Sequence, residues 1–291
     1  MFSGVGTALI TPFDWEFNVD YSALRKICRQ QVEGKVDAVI VIGTTGESPV
    51  FSIDERKKII ETVIEEVKGK AEVIVGTGTN DTRKVVELNK IAEELKADAV
   101  LIVNPYYNKG TQESLIEHYK YISDRTPLPI ILYNVPSRTA MNMLPETIVK
   151  IVEACKNIVA VKEACSNISQ IAHLISIKPQ NFAVYSGNDN ETLPIMALGG
   201  IGIISVFSNA YPKELKRLTD AISKNNPALA QALNNKYLSM MNALFVETSP
   251  IPIKYVMSKL GLCENILRLP LIPATSKAGK ILDEEMKKLS A

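Results

Sequence analysis

The sequence predicts a (β/α)8 TIM barrel followed by a small helical appendage, and three observations carry that prediction. Short β-branched apolar runs alternate with longer stretches of helical periodicity. Eight such runs fall within roughly 220 residues, the count that closes a parallel barrel. Each run is near-continuously apolar, as expected of strands covered on both faces.

The strand candidates in chain order are Val5–Ile10, Ala38–Ile42, Glu72–Gly76, Asp98–Val103, Pro129–Tyr133, Ile158–Lys162, Phe182–Ser186 and Gly202–Val206. Helical periodicity fills the gaps: Tyr21–Glu33, Ile53–Val67, Asp81–Leu95, Gln112–Asp124, Pro145–Ala154, Ile168–Ile177 and Glu191–Leu198. Asp54 and Asp81, ahead of apolar-periodic runs, mark helix starts. A doubly wound open sheet would want a glycine-rich dinucleotide loop after its first strand. Thr7 to Phe13 has none, and Gly199-Gly200-Ile201-Gly202 precedes a strand and reads as a tight turn. From Pro212 onward the pattern is helical only, over Lys213–Ser223, Pro227–Val246, Ile253–Leu260 and Ala278–Leu289, with Pro227 at a first helical position. The expected division is a catalytic barrel over 1–225 and a C-terminal helical region over 226–291, joined at Asn225-Asn226-Pro227. Met240, Met241, Leu244 and Phe245 read as helix core or subunit interface.

Composition narrows the function. The 291 residues are 46% hydrophobic and 22% charged, with a net charge of +1. That balance implies no broad field for nucleic acid or an anionic membrane surface. Cys28, Cys155, Cys165 and Cys263 show no CxxC or zinc spacing and only His118 and His173 are present, so no metal site is expected and the thiols read as reduced. No signal peptide and no membrane span are apparent, and a cytoplasmic location is expected.

Active sites of parallel barrels are built at the strand C-termini. The run Ile158-Val159-Ala160-Val161 ends in Lys162 and Glu163. A desolvated amine loses its proton more easily and attacks carbonyls. Successive strand residues face opposite sides, so if Lys162 points inward, Glu163 points to the helices and is structural. The second strand is followed by Gly43-Thr44-Thr45-Gly46-Glu47, whose hydroxyls and backbone N–H groups suit a small carboxylate. The fourth is followed by Asn104-Pro105-Tyr106-Tyr107-Asn108, and the fifth ends in Tyr133-Asn134-Val135-Pro136-Ser137-Arg138-Thr139. Arg138 offers a planar fork for a carboxylate. The seventh gives Ser186-Gly187-Asn188-Asp189 and the eighth ends near Ile204. An amine, a phenol, hydroxyls and a guanidinium on strand ends suit Schiff-base chemistry on a small oxo acid.

Gly43–Glu47, Tyr133–Thr139 and Val161-Lys162-Glu163-Ala164 together resemble the dihydrodipicolinate synthase family of pyruvate-dependent class I aldolases. The resemblance runs from Gly4 through Pro273 and includes Asn104–Asn108, Ser186–Asp189 and Phe245–Lys254. It implies condensation of pyruvate with L-aspartate semialdehyde to 4-hydroxy-tetrahydrodipicolinate, a lyase reaction in diaminopimelate and lysine biosynthesis. It implies no cofactor beyond a covalent imine between Lys162 and pyruvate. Tyr133 would shuttle protons with Thr44 and Tyr107, the last reaching across from an adjacent subunit. Thr45 and the backbone at Ile204 would hold pyruvate, Arg138 the carboxylate of the semialdehyde, and Gly187 would leave room for it. A homo-oligomer follows, a dimer at least and a tetramer built as a dimer of dimers. N-acetylneuraminate lyase, a sister enzyme, has a serine in place of Thr44, lacks the arginine of Arg138 and does not follow its lysine with Glu-Ala.

Two rivals remain at this stage: an aldolase that cleaves a sugar acid to pyruvate, and a non-catalytic barrel that senses an oxo acid. A sensor needs no proton relay, which weighs against it. Lysine-inhibited family members bind lysine at a subunit interface with polar and acidic groups and histidines on the helix after the Gly43–Glu47 loop. Here that helix offers Ile53 and Arg56, and Lys84 replaces the customary acid, with Ser48, Asn80 and Tyr106 retained. Little or no inhibition by L-lysine is expected.

Overall fold

The structure, a computed structural model, describes residues 1–290. Eight strands, β1 (Gly4–Ala8), β2 (Ala38–Val41), β3 (Glu72–Gly76), β4 (Ala99–Val103), β5 (Ile130–Asn134), β6 (Ile158–Glu163), β7 (Ala183–Ser186) and β8 (Gly202–Ser205), close into a barrel in sequence order. The barrel expected from the sequence is the fold observed. Two compact units make up the chain: Met1 with Ile74–Ile204, and Phe2–Val73 with Ser205–Ala291.

In the first unit β3 to β8 run as a parallel ladder. Strands β4, β5 and β6 are almost wholly buried, which explains their unbroken apolar sequence. Tyr133 pairs with Lys162 and Asn134 with Glu163, while Lys162 pairs on its other side with Tyr185. Helices Thr82–Glu94, Gln112–Ser123, Pro145–Ala154 and Ile168–Ile177 follow within one residue of the expected spans, and a four-residue helix, Pro136–Thr139, is an addition.

In the second unit β1 pairs with β2 in parallel. Helix Tyr21–Glu33 is capped by Asp20, whose side chain accepts from the Ala23 N–H. Helix Ile53–Val67 starts from Ser52, not Asp54: the Ser52 hydroxyl accepts from the Glu55 N–H and the Glu55 carboxylate accepts from the Ser52 N–H, a reciprocal capping box. Asp54 stands one residue inside, where its charge still favours the helix N-terminus. The first strand stops at Ala8, short of Ile10, because the Ile10 N–H is taken by the Asn209 side chain at 3.0 Å. Helices Pro212–Ser223, Pro227–Ala243, Ile251–Lys259 and Ser276–Ser290 end the chain. Pro227 is at the first helical position behind the Asn226 cap, as expected. Met240, Met241 and Leu244 are fully buried, so that stretch is core, with Phe245 left on the surface.

Candidate active site

Lys162 is the last residue but one of β6 and only 5% exposed. Its Nζ lies 4.4 Å from the centroid of the Tyr133 ring, on the neighbouring strand. Burial pushes the Lys162 pKa down to about 7; the Asp189 carboxylate opposes that shift and the Arg138 guanidinium adds to it. An amine in that range is substantially unprotonated near neutral pH and so a nucleophile. Asp189, itself buried, follows β7. Arg138 projects from the short helix after β5 and is exposed, where it can meet a ligand's charge.

Gly187 packs on the end of the lysine strand. Its N–H donates to the Glu163 carbonyl at 2.7 Å, and an ideal Cβ there would fall 2.7 Å from Ala164 Cβ and 2.9 Å from that carbonyl oxygen. The glycine is thus required by the closeness of β6 itself, a reason the sequence does not disclose. Glu163 is buried beside Lys162 in the chain and accepts from the Asn134 amide and the Cys165 N–H. Burial raises its pKa to about 7, against the pull of those hydrogen bonds. Tyr107 lies on the loop after β4 at φ +68° and is 92% exposed, an unusual position for an aromatic ring. Ile204 is buried within β8.

In the second unit Thr44 and Thr45 follow β2; Thr44 is exposed and Thr45 buried. The loop is bracketed by two residues in the left-handed region, Ile42 at φ +56° and Glu47 at φ +59°. For a β-branched side chain that conformation is an outlier, sustained only where surrounding contacts over-determine it. The turn is tight: the N–H groups of Gly46, Glu47 and Ser48 bond back to Gly43, Thr44 and Gly43, which restricts an anion grip to the start of the loop. An ideal Cβ at Gly46 would come 3.1 Å from the Leu9 carbonyl oxygen, and the Thr11 hydroxyl donates to the Gly46 carbonyl at 2.9 Å.

Glu47 anchors this loop from below. Lys254, from the helix Ile251–Lys259, meets Glu47 Oε1 at 2.5 Å, with side-chain exposures of 0% and 2%. Lys254 also donates to the Ile266 carbonyl at 2.9 Å and lies 4.0 Å from the Phe13 ring centroid, while the Arg268 N–H donates to Glu47 Oε2 at 3.1 Å. Neither Glu47 nor Lys254 was assigned a role by the sequence, because partners 207 positions apart leave no periodic signal. Asn134 and Asp189 also escaped. A polar residue closing an apolar strand was the available clue to Asn134.

The dihydrodipicolinate synthetase family model matches residues 1–289. The chain belongs to that family. A 4-hydroxy-tetrahydrodipicolinate synthase of Fervidobacterium nodosum is 47% identical, covering 99% of each chain. A crystal structure of dihydrodipicolinate synthase from Thermotoga maritima superposes with a TM-score of 0.98 at 47% identity, covering 100% of this chain and 99% of that one. A further solved structure, described as the first monomeric dihydrodipicolinate synthase variant, gives a TM-score of 0.97 at 46% identity over 99% and 97% of the two chains. The family resemblance seen in the three motifs is borne out, and with it the enzyme class, a lyase-type synthase.

Proposed function

We propose that the chain condenses pyruvate with L-aspartate semialdehyde, giving 4-hydroxy-tetrahydrodipicolinate for diaminopimelate and lysine synthesis. The observation that carries this reading is the buried Lys162 amine, its pKa lowered to about 7, lying over the Tyr133 ring. The Lys162 amine attacks the ketone of pyruvate, and loss of water leaves the imine. Loss of a methyl proton makes the enamine, whose carbon attacks the aldehyde. The amine of the adduct then attacks the imine carbon and displaces Lys162 as the ring closes.

Tyr133 shuttles the protons of imine formation, with Thr44 and Tyr107 completing the relay. Thr45 and the Ile204 backbone hold the pyruvate carboxylate, and Arg138 holds that of the semialdehyde. Gly187 keeps the approach to the lysine open. The covalent imine is the electron sink of the reaction, so the chemistry calls on no separate cofactor. Borohydride added with pyruvate should leave a reduced adduct on the peptide containing Lys162, and Lys162→Ala should lose it while staying folded. Adduct on another lysine would sink the assignment. The sugar-acid alternative is separated by which aldehyde disappears when the protein is mixed with pyruvate.

An aromatic ring as exposed as Tyr107 supports a subunit contact, and the assembly is a homotetramer, a dimer of dimers. Sedimentation should show it; a monomer with full activity at assay concentration would refute it, an outcome the monomeric relative makes a real contest. The proposed division is a barrel over 1–225 and a helical region over 226–291, of which residue 291 lies outside the described residues. The proposed role places the enzyme in the cytoplasm. No helix among the described residues is long and apolar enough to cross a membrane.

A further inference from the structure

Where β5 and β6 end, two side-chain pairs meet across the ladder. Tyr133 stands opposite Lys162 and Asn134 opposite Glu163. Because alternate strand residues face opposite sides, the first pair shares one face and the second shares the other. On the first face the amine lies over the phenol ring, 4.4 Å from its centroid. On the second, Asn134 Nδ2 donates to Glu163 Oε1 at 2.9 Å and Oε2 at 3.2 Å.

The Asn134 amide is held in one orientation. Its Oδ1 accepts from the Met143 N–H and from Asn104 Nδ2, both at 3.0 Å. A backbone N–H can only donate, so Oδ1 must face Met143, and Nδ2 is thereby turned toward the carboxylate. Glu163 Oε1 also accepts from the Cys165 N–H at 3.0 Å. Asn104 opens the loop that carries Tyr106 and Tyr107, and its Oδ1 accepts from the Tyr119 hydroxyl at 3.0 Å. Asn104, Asn134 and Glu163 are all buried. Polar groups on a strand face that packs against helices are costly there unless fully satisfied, and apolar side chains would cover that face without the requirement.

We propose that Asn104, Asn134 and Glu163 are positioning residues that tie the ends of β4, β5 and β6 together, so that Tyr133 and Lys162 meet at reacting distance. This rests on the reading of Lys162 and Tyr133 as the reacting pair. The backbone ladder already joins the strands. What the side-chain tie adds is the placing of two strand ends where a misplacement of about 1 Å is expected to lower rates on the order of a hundredfold.

Glu163→Gln weakens the tie at nearly constant volume: its oxygen, held by the Cys165 N–H, still accepts from Asn134, but its new NH2 replaces Oε2 at 3.2 Å from the Asn134 NH2, where two donors now oppose each other. The double variant Asn134→Asp/Glu163→Gln reverses the pair: the amide introduced on β6 donates to the carboxylate introduced on β5, which still accepts from Asn104 and Met143. It forgoes the 2.9 Å bond from Asn134 Nδ2 to Asn142 Oδ1, so its recovery is partial. The readouts are kcat, KM for each substrate, and the rate of borohydride-trapped pyruvate adduct at Lys162, all at a temperature where circular dichroism shows each variant folded. Glu163→Gln should lower kcat and the trapping rate at saturating pyruvate by about tenfold or more, with KM for the semialdehyde moving less than about twofold. The double variant should regain a clear part of that loss. Should Glu163→Gln fail to fold, Glu163→Asp keeps the charge, retracts it by one methylene, and should lower kcat with KM unmoved. Unchanged turnover in the folded single variants, or a folded double variant no faster than Glu163→Gln, overturns the positioning role. Absence of the adduct at Lys162 in the unsubstituted protein would instead overturn the functional reading beneath it.

Discussion

Lys254→Met removes the cation beneath the Thr44–Thr45 loop, and the consequence follows from the burial of the pair. Lys254 and Glu47 meet at 2.5 Å with exposures of 0% and 2%, so neither charge has solvent to fall back on. Breaking a buried pair from one side strands the other charge, which costs about 3–5 kcal/mol, whereas replacing both members is often neutral. Here Glu47 keeps one hydrogen bond, from the Arg268 N–H, so the lower end of that range is expected. Glu47→Gln/Lys254→Met leaves no stranded charge and should return to within about 1.5 kcal/mol of the unsubstituted protein, which the pairing energetics allow. Equilibrium urea denaturation followed by circular dichroism, at one protein concentration throughout, measures both differences. The double variant carries a second expectation. With Glu47 unanchored, the left-handed Ile42 and Glu47 conformations lose a restraint, and KM for pyruvate should rise even though stability recovers. A single variant within about 1 kcal/mol of the parent would refute the claim that the pair is held dry and mutually dependent. A double variant with unchanged KM would refute its hold on the loop.

Three further outcomes are expected. Because the Lys162 pKa is lowered to about 7 and its neutral form is the nucleophile, the imine-trapping rate should be flat above pH 7 and fall about tenfold per pH unit below it. A flat profile down to pH 5 would contradict that. Arg138→Ala should impair use of the semialdehyde by roughly ten- to a hundredfold, the worth of a charge-assisted contact of about 1.5–3 kcal/mol, while pyruvate imine formation holds; equal loss of both steps would make Arg138 structural. L-Lysine at millimolar concentration should inhibit little, because Arg56, bonded to the Ser48 carbonyl and hydroxyl, and Lys84, paired with Glu87, are the basic residues that depart from the lysine-inhibited pattern the resemblance implies; a submillimolar inhibition midpoint would refute this.

The barrel was legible because it rests on local regularities. Eight apolar runs and the helical periods between them survive in any one-dimensional reading, and Asp20, Asp81 and Asn226 act as caps from their immediate neighbours. Strand ends were less legible, since a ladder stops where a partner takes the next N–H. Asn209, nearly two hundred positions away, ends β1 by claiming Ile10. The residues proposed for proton transfer and the imine were legible through motif likeness, and Lys162 through its place at the end of an apolar run. The residues that hold them were not. Glu47 and Lys254 find each other only in three dimensions, and Gly187 is demanded by an approach to β6 that no spacing records.

Two buried lysines in one chain show why burial alone does not make a nucleophile. Lys162 and Lys254 are both nearly inaccessible, and burial lowers the pKa of each. Around Lys254 burial and the nearby Arg268 charge push the pKa down, but a carboxylate in direct contact, a carbonyl acceptor and the face of Phe13 all hold the cation. Around Lys162 the Asp189 carboxylate acts only as a more distant charge, the Arg138 guanidinium pushes the other way, and the Tyr133 ring provides a face and not a base. The first environment stabilises an ammonium and uses it as a strut. The second leaves an amine whose two protonation states are nearly balanced at neutral pH, the condition a group must meet to attack a ketone and later be expelled from the imine. Chemistry and support thus use the same residue type, and whether a carboxylate sits in direct contact, as Glu47 does at 2.5 Å from Lys254, separates the two roles.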